Sequence, residues 1–156
     1  MANTYGPYGF RWTGNLAAGA AAISKRIITK SGLSLKVGDP IALTGGLAHL
    51  AGVTSTAIPY VALEDVTGVT ATKKSVLAMP TLRDYIFRVQ TRSAVNMTLG
   101  WMQGGKNVGI TGTTNGKIGI GPSATTSVCK IVGLAPGSAL GSYAELLVVF
   151  IKGFQG

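Results

Sequence analysis

From position 25 onward the chain is a series of short apolar runs cut by turn residues. KRIITK at 25–30 reads as a short strand. In LSLKV, Leu33, Leu35 and Val37 alternate with Ser34 and Lys36, the period-two mark of a strand with one buried face. GDP at 38–40 is a turn, because Pro40 cannot donate to a ladder. IALTGGLAHL at 41–50 predicts a hairpin around TGG. Further strands are predicted at IPYVAL (58–63), SVLAM (75–79), YIFRVQTR (85–92), NVGIT (107–111), KIGIG (117–121), VCKIVGLA (128–135) and YAELLVVFIKG (143–153). Between them stand the turn signals DVTG, ATKK, QGGKN, TGTTNGK and APGSALGS. Strands spaced about 8–12 residues apart predict a barrel or sandwich rather than βαβ units. SALGSYAELL and TLRDY leave room for helical turns, but Val148, Val149, Phe150 and Ile151 favour strand in the former.

The first 22 residues follow another pattern. YGPYGFRWTGNLAAGAAA places Tyr5, Tyr8, Phe10 and Trp12 close together and then runs into small residues. Pro7 fixes its own φ and favours extended geometry at Gly6, and Gly6, Gly9 and Gly14 oppose a helix. The expected fold is therefore all-β: a single β-barrel or β-sandwich, jelly-roll-like, over 23–156, preceded by an extended N-terminal arm at 1–22.

Composition sharpens this picture. A chain of 156 residues suits one domain and can build a core without staples. Fourteen Lys and Arg face five Asp and Glu, a net charge of +9, yet only 12% of residues are charged against about 25% in typical proteins. Such a surface suits a subunit covered by contacts better than a free monomer. Cys129 and His49 are each the only residue of their type, which argues against a disulfide framework and a Cys/His metal site and fits assembly in a reducing compartment. No run approaches the roughly 18 apolar residues of a membrane helix. LAAGAAAI at 16–23 is too short and too rich in Ala and Gly to be expected as a signal core. The NMT triplet at Asn96 has no secretory context and is discounted.

Candidate chemistry is sparse. The acids are Asp39, Glu64, Asp65, Asp84 and Glu145. Glu64 and Asp65 are adjacent, so a strand would point them to opposite faces and deny them a shared acid/base role; they read as turn caps. His49 sits among apolar neighbours as an ordinary strand histidine. GGKN and NGKI lack the hydroxyl residue of a phosphate loop, and no G-x-S-x-G elbow occurs. The chain is not expected to be an enzyme, and no catalytic residue, cofactor or metal is assigned.

Nucleic acid is weighed because of the charge. Alternation along YIFRVQTR puts Tyr85, Phe87 and Val89 on one face and Arg88, Gln90 and Arg92 on the other, with Arg83, Lys73 and Lys74 nearby. Binding of bases wants rings and cations on the same face, so this split reads as a core face and an interface face. The rings of the arm either fold back onto their own sheet, stay disordered, or lie on a neighbouring subunit or partner. Each buries roughly 150–250 Å² when covered, so exposure is costly. The partner option makes Tyr5, Pro7, Tyr8, Phe10, Arg11 and Trp12, together with Arg88 and Arg92, the candidate binding residues. Deleting 1–14 is then expected to leave the domain folded and unable to bind.

Four stretches resemble one family. PYGFRW is similar to the opening of tailed-phage capsid decoration (cement) and minor head proteins, with Trp12 where that pattern has proline. KVGDPIALTGG, DYIFRVQTR and SATTSVCKIVGLAPGSALGSYAELLVVFIKG resemble their later segments in the same order. The resemblance implies a non-enzymatic virion subunit on the outside of the capsid, assembled in the host cytoplasm. It would bridge major capsid protein subunits and associate with itself, as a homotrimer first and a dimer second. No membrane partner is expected, and the split of rings and cations along YIFRVQTR sets nucleic acid behind a protein partner. The alternatives are a nucleic-acid-binding β-barrel, a tail or minor head component, and a carbohydrate-binding domain using Trp101 and Tyr60.

Overall fold

The computed structural model describes residues 3–16, 23–92, 107–121 and 126–154. Asn96, Trp101, most of LAAGAAAI and positions 123–125 of the terminal motif lie outside them. Within the described residues run eleven strands: β1 (Arg11–Asn15), β2 (Lys25–Ile28), β3 (Pro40–Thr44), β4 (Leu47–Leu50), β5 (Tyr60–Ala62), β6 (Ser75–Pro80), β7 (Tyr85–Gln90), β8 (Asn107–Thr111), β9 (Gly119–Gly121), β10 (Cys129–Leu134) and β11 (Glu145–Phe150). No helix occurs among the described residues.

The strands form two antiparallel sheets, ordered β1-β7-β11-β10-β8-β9 and β2-β6-β5-β3-β4. Alternation decides which faces meet. Tyr85, Phe87 and Val89 on β7, Leu146, Val148 and Phe150 on β11, and Cys129 and Ile131 on β10 all point inward. They pack with Ala42, Val61 and Met79 of the second sheet into the main core. Phe87 meets Phe150 edge-on at 5.3 Å and 85°, an arrangement worth about 0.5–1.5 kcal/mol beyond its buried area. The fold is thus an all-β sandwich. Each sheet curls until its last strand meets an early one through a single parallel bridge: Ile120 of β9 to Thr91, just past β7, and Ala48 of β4 to Thr29, just past β2. Neither closes into a barrel.

The second sheet is buried on its other face too. Ile27, Ile41, Tyr60, Val76 and Ala78 form a smaller core with Leu35 and Val66, covered by Phe154, whose ring lies 5.5 Å from Tyr60. The β3–β4 hairpin turns at Gly45 and Gly46, with φ of +57° and +77°, the two positive values a type I′ turn demands.

One predicted strand does not form. Leu35 is buried, with Leu33 and Val37 half-buried, and Ser34 and Lys36 are exposed, so the alternation is real. The backbone makes only an isolated bridge, Leu35 to Val66. Carboxylates replace the ladder here: the Lys36 N–H donates to Asp39 Oδ2 at 2.8 Å and the Val37 N–H to Asp65 Oδ1 at 2.8 Å.

Candidate partner-binding surface

The N-terminal segment is extended, as Pro7 and its glycines dictate, but it is not a free arm. Residues 3–16 are lashed to the domain at four places. Asn3 donates from Nδ2 to the Ala139 and Ser142 carbonyls at 2.8 and 3.0 Å, and its Oδ1 accepts from the Ala139 N–H at 3.0 Å and the Ser138 hydroxyl at 3.2 Å. Gln90 on β7 acts as a surrogate ladder. Its Oε1 accepts the Gly6 N–H at 2.7 Å, and its Nε2 donates to the Thr4 carbonyl at 2.7 Å and the Tyr143 carbonyl at 3.1 Å. Gly9 and Gly38 then cross backbone on backbone, fixed by the Phe10 N–H donating to the Gly38 carbonyl at 2.8 Å and the Gly9 N–H to the Ile118 carbonyl at 2.8 Å. Beyond the crossing, β1 pairs with β7, with a bulge between Trp12 and Gly14.

This geometry corrects two expected binding residues. Phe10 is 1% exposed, its ring 5.0 Å from Phe150 and 6.5 Å from Phe87, so it belongs to the core. Pro7 is buried as well. The reason is covalent reach: Gly9 and Gly38 let the strap lie against the domain, and the next side chain drops between the sheets. The chain's own core answers for one ring of the four.

The others are divided. Tyr8 is half-buried, and burial together with the Glu145 carboxylate holds its hydroxyl above the ordinary phenol range. Tyr5 and Trp12 remain open, at 48% and 38% exposure. Tyr5 packs on Tyr143 at 4.9 Å and its hydroxyl accepts from Arg92 Nε at 3.2 Å. Trp12 lies 6.4 Å from Tyr85, whose hydroxyl accepts the Ile23 N–H, and the Leu16 N–H donates to the carbonyl of the adjoining Asp84. Leu16 and Ile23 are also exposed, so three open apolar side chains are tied through Asp84 and Tyr85 to the start of β7.

The cations separate in the same way. Arg11 stands opposite Arg88 in the β1–β7 register, an unfavourable like-charge pair. Two contacts relieve it. Glu145 Oε2 accepts from Arg88 Nε at 2.7 Å and also from Nη2, while the Arg11 guanidinium sits 5.8 Å over the Tyr8 ring. Arg88 is therefore engaged within the chain, and Arg11, Arg92, Tyr5 and Trp12 are the expected residues still presented outward. Sequence reading placed Gln90 on the outer face with the arginines. It does point that way, yet it is 2% exposed because the strap covers it. No signal at residue 90 itself could have revealed that, and Asn3 carried none.

The remaining acids hold backbone. Glu64 accepts the Leu77 N–H and Arg26, both at 2.8 Å, and Asp65 accepts the Val37 N–H at 2.8 Å and Lys36 at 3.2 Å, so the two neighbours do face apart. These bonds, the backbone ones foremost, draw both carboxyls below the ordinary range. Asp39 is fully buried and ties the Lys36 N–H to the Gly116 N–H at 2.8 Å each. Among the described residues the ion pairs engage Arg26, Lys36 and Arg88, and Asp39 and Asp84 are the acids outside them. Of the lone residues, the Cys129 thiol is buried and pushed far up by desolvation. His49 binds Thr44 Oγ1 through Nε2 at 2.8 Å and the Leu50 carbonyl through Nδ1 at 3.1 Å.

Asn at position 39 keeps one acceptor and turns an N–H₂ toward the other N–H. Asp39→Asn is expected to cost about 1–3 kcal/mol in urea denaturation. Burial raises the Asp39 carboxyl above its unfolded value despite the two N–H bonds. Its stabilising share is therefore full below the unfolded carboxylate range and is lost as pH rises through the folded value. The wild-type advantage over Asp39→Asn should be larger near about pH 3 than near about pH 7.

No family model, curated protein or solved structure matches this chain.

Proposed function

We propose that the chain is a non-enzymatic structural subunit of a phage particle, which binds the outside of the capsid and bridges its major subunits. The observation that carries this reading is the exposure of Trp12, Leu16 and Ile23 about the start of β7, on a chain with fourteen cations against five acids. Such side chains find cover on another protein, and the surplus charge steers the subunit to an acidic one and speeds encounter at low salt. The expected assembly is a trimer. The motif order of the decoration proteins supports the same role. Mass spectrometry of emptied heads against detached tails is the test, with the chain expected in the heads. A chain confined to tails, or missing from the particle, would falsify the proposal. Trp12→Ser and Tyr5→Ser probe the surface itself: each is expected to keep the fold and weaken co-sedimentation with heads, more so in combination.

A second reading, a nucleic-acid-binding domain, gains from one observation. Arg92 on Tyr5 and Arg11 over Tyr8 bring rings and cations together through the strap, although strand alternation alone separates them. It requires a mobility shift with DNA or RNA that fades steeply with salt.

A further inference from the structure

We propose that the outer face of β2 and β6 docks an acidic protein segment, with Lys30 and Lys73 as its carboxylate-binding residues. The assignment names the contact chemistry of the binding subunit proposed above and rests on that reading.

The β2–β6 register places Arg26 opposite Leu77 and Ile28 opposite Ser75. The ladder continues at Thr29, whose N–H donates to the Lys74 carbonyl at 2.7 Å. The Lys30 N–H turns instead to the Ala48 carbonyl at 2.8 Å, so Lys30 and Lys73 stand just past this last rung, exposed like Ile28 and Ser75. All four residues are exposed, Ile28 at 50%. Like charges at the end of a strand pair repel unless an anion lies between them. Their neighbours are already engaged, Arg26 by Glu64 and Lys74 by the Thr67 carbonyl at 2.7 Å. The three ion pairs among the described residues leave out both Lys30 and Lys73. Lys30 also lines, with Thr44, Leu47 and His49, a hollow of about 340 Å³ beside the end of β4. The face thus offers two ammonium groups, a hydroxyl and one open aliphatic side chain next to a recess that admits a side chain.

Charge chooses the occupant. A second copy carries +9 itself and would set lysines against lysines. A nucleic acid would find phosphate contacts, but the face as described presents Ile28 and Ser75 where bases would need a ring. An acidic peptide matches both the cations and Ile28.

Poly-L-glutamate is the probe, titrated at low ionic strength into isotope-labelled protein and followed by amide chemical shifts. Shifts are expected at Ile28, Lys30, Thr44 and Lys73. Lys30→Ala and Lys73→Ala should each weaken binding about fivefold, and the difference should vanish near about 1 M salt, where the Debye length is about 3 Å. Unchanged affinity in folded variants overturns the assignment. So does a charge-matched DNA duplex that binds this face as tightly as the peptide. Lysines also guard edge strands against pairing. Variants that aggregate while keeping full affinity for polyglutamate would assign them that role and overturn docking. The two proposals fail separately. A chain present in heads but indifferent to polyglutamate loses only this face, and one that binds polyglutamate here yet is missing from the particle loses only the capsid role.

Discussion

Phe10→Ala is expected to lower stability by about 3–5 kcal/mol, and a chain lacking residues 1–14 is expected not to fold. Phe10 is 1% exposed between Phe87 and Phe150, so truncation leaves a cavity where two sheets meet. Domains of ordinary size are stable by about 5–15 kcal/mol, and this one residue accounts for a large share of that. The deletion also removes all of β1 but Asn15, the Gly6 and Thr4 bonds to Gln90, and every bond made by Asn3. Circular dichroism and urea denaturation check both variants. A truncated chain that melts cooperatively near the wild-type temperature would overturn the strap as part of the fold. The same geometry reverses the expectation that the first fourteen residues are dispensable for folding. Loss of binding after truncation would report an unfolded domain, which is why Trp12→Ser and Tyr5→Ser are the informative variants. Both side chains are partly open to solvent, at 38% and 48%, and outside the main core, so their loss is expected to cost less than that of Phe10.

Gly9→Ala should follow closely, at about 3 kcal/mol. Gly9 has φ of +80°, and a Cβ there would lie 2.4 Å from the Gly38 carbonyl oxygen and 2.6 Å from its carbon. Gly38 is the reciprocal case, with φ of +92° and a Cβ position 2.8 Å from the Tyr8 carbonyl oxygen. The left-handed backbone costs about 1–2 kcal/mol with a side chain, and forced overlap adds about 1–3. Gly45→Ala separates the two terms. It has φ of +57° with nothing within 4 Å, so it should cost only the conformational part. Equal losses in Gly9→Ala and Gly45→Ala by urea denaturation would mean that the two backbones do not cross so tightly, and that the strap is held more loosely than the contacts imply.

The strands were legible because each carries its own evidence. Tyr85, Phe87 and Val89 alternate with Ile86 and Arg88, and a period of two needs no knowledge of the neighbouring strand. Gly45 and Gly46 announced their hairpin for the same local reason, since few other residues tolerate both positive φ values. The adjacency of Glu64 and Asp65 was enough to predict that they face apart. LSLKV shows the limit of this reading. Its alternation correctly predicted burial at Leu35, but a ladder needs a partner strand, and there Asp39 and Asp65 supply the acceptors.

The candidate site was harder to read. Aromatic density at the amino terminus marks rings in need of cover, yet nothing local says that Phe10 is covered by its own domain while Trp12 is left open. The outcome depends on Gly9 meeting Gly38, and on Gln90 offering its amide to residues more than eighty positions away. So the residues alone determined an all-β chain, its strand faces and its uncompensated positive charge, all of which follow from nearest-neighbour periodicity and counting. Which rings are interior, which arginine is neutralised by Glu145 and which lysines are left without an acid were decided only in three dimensions, because contacts between distant segments set burial and pairing.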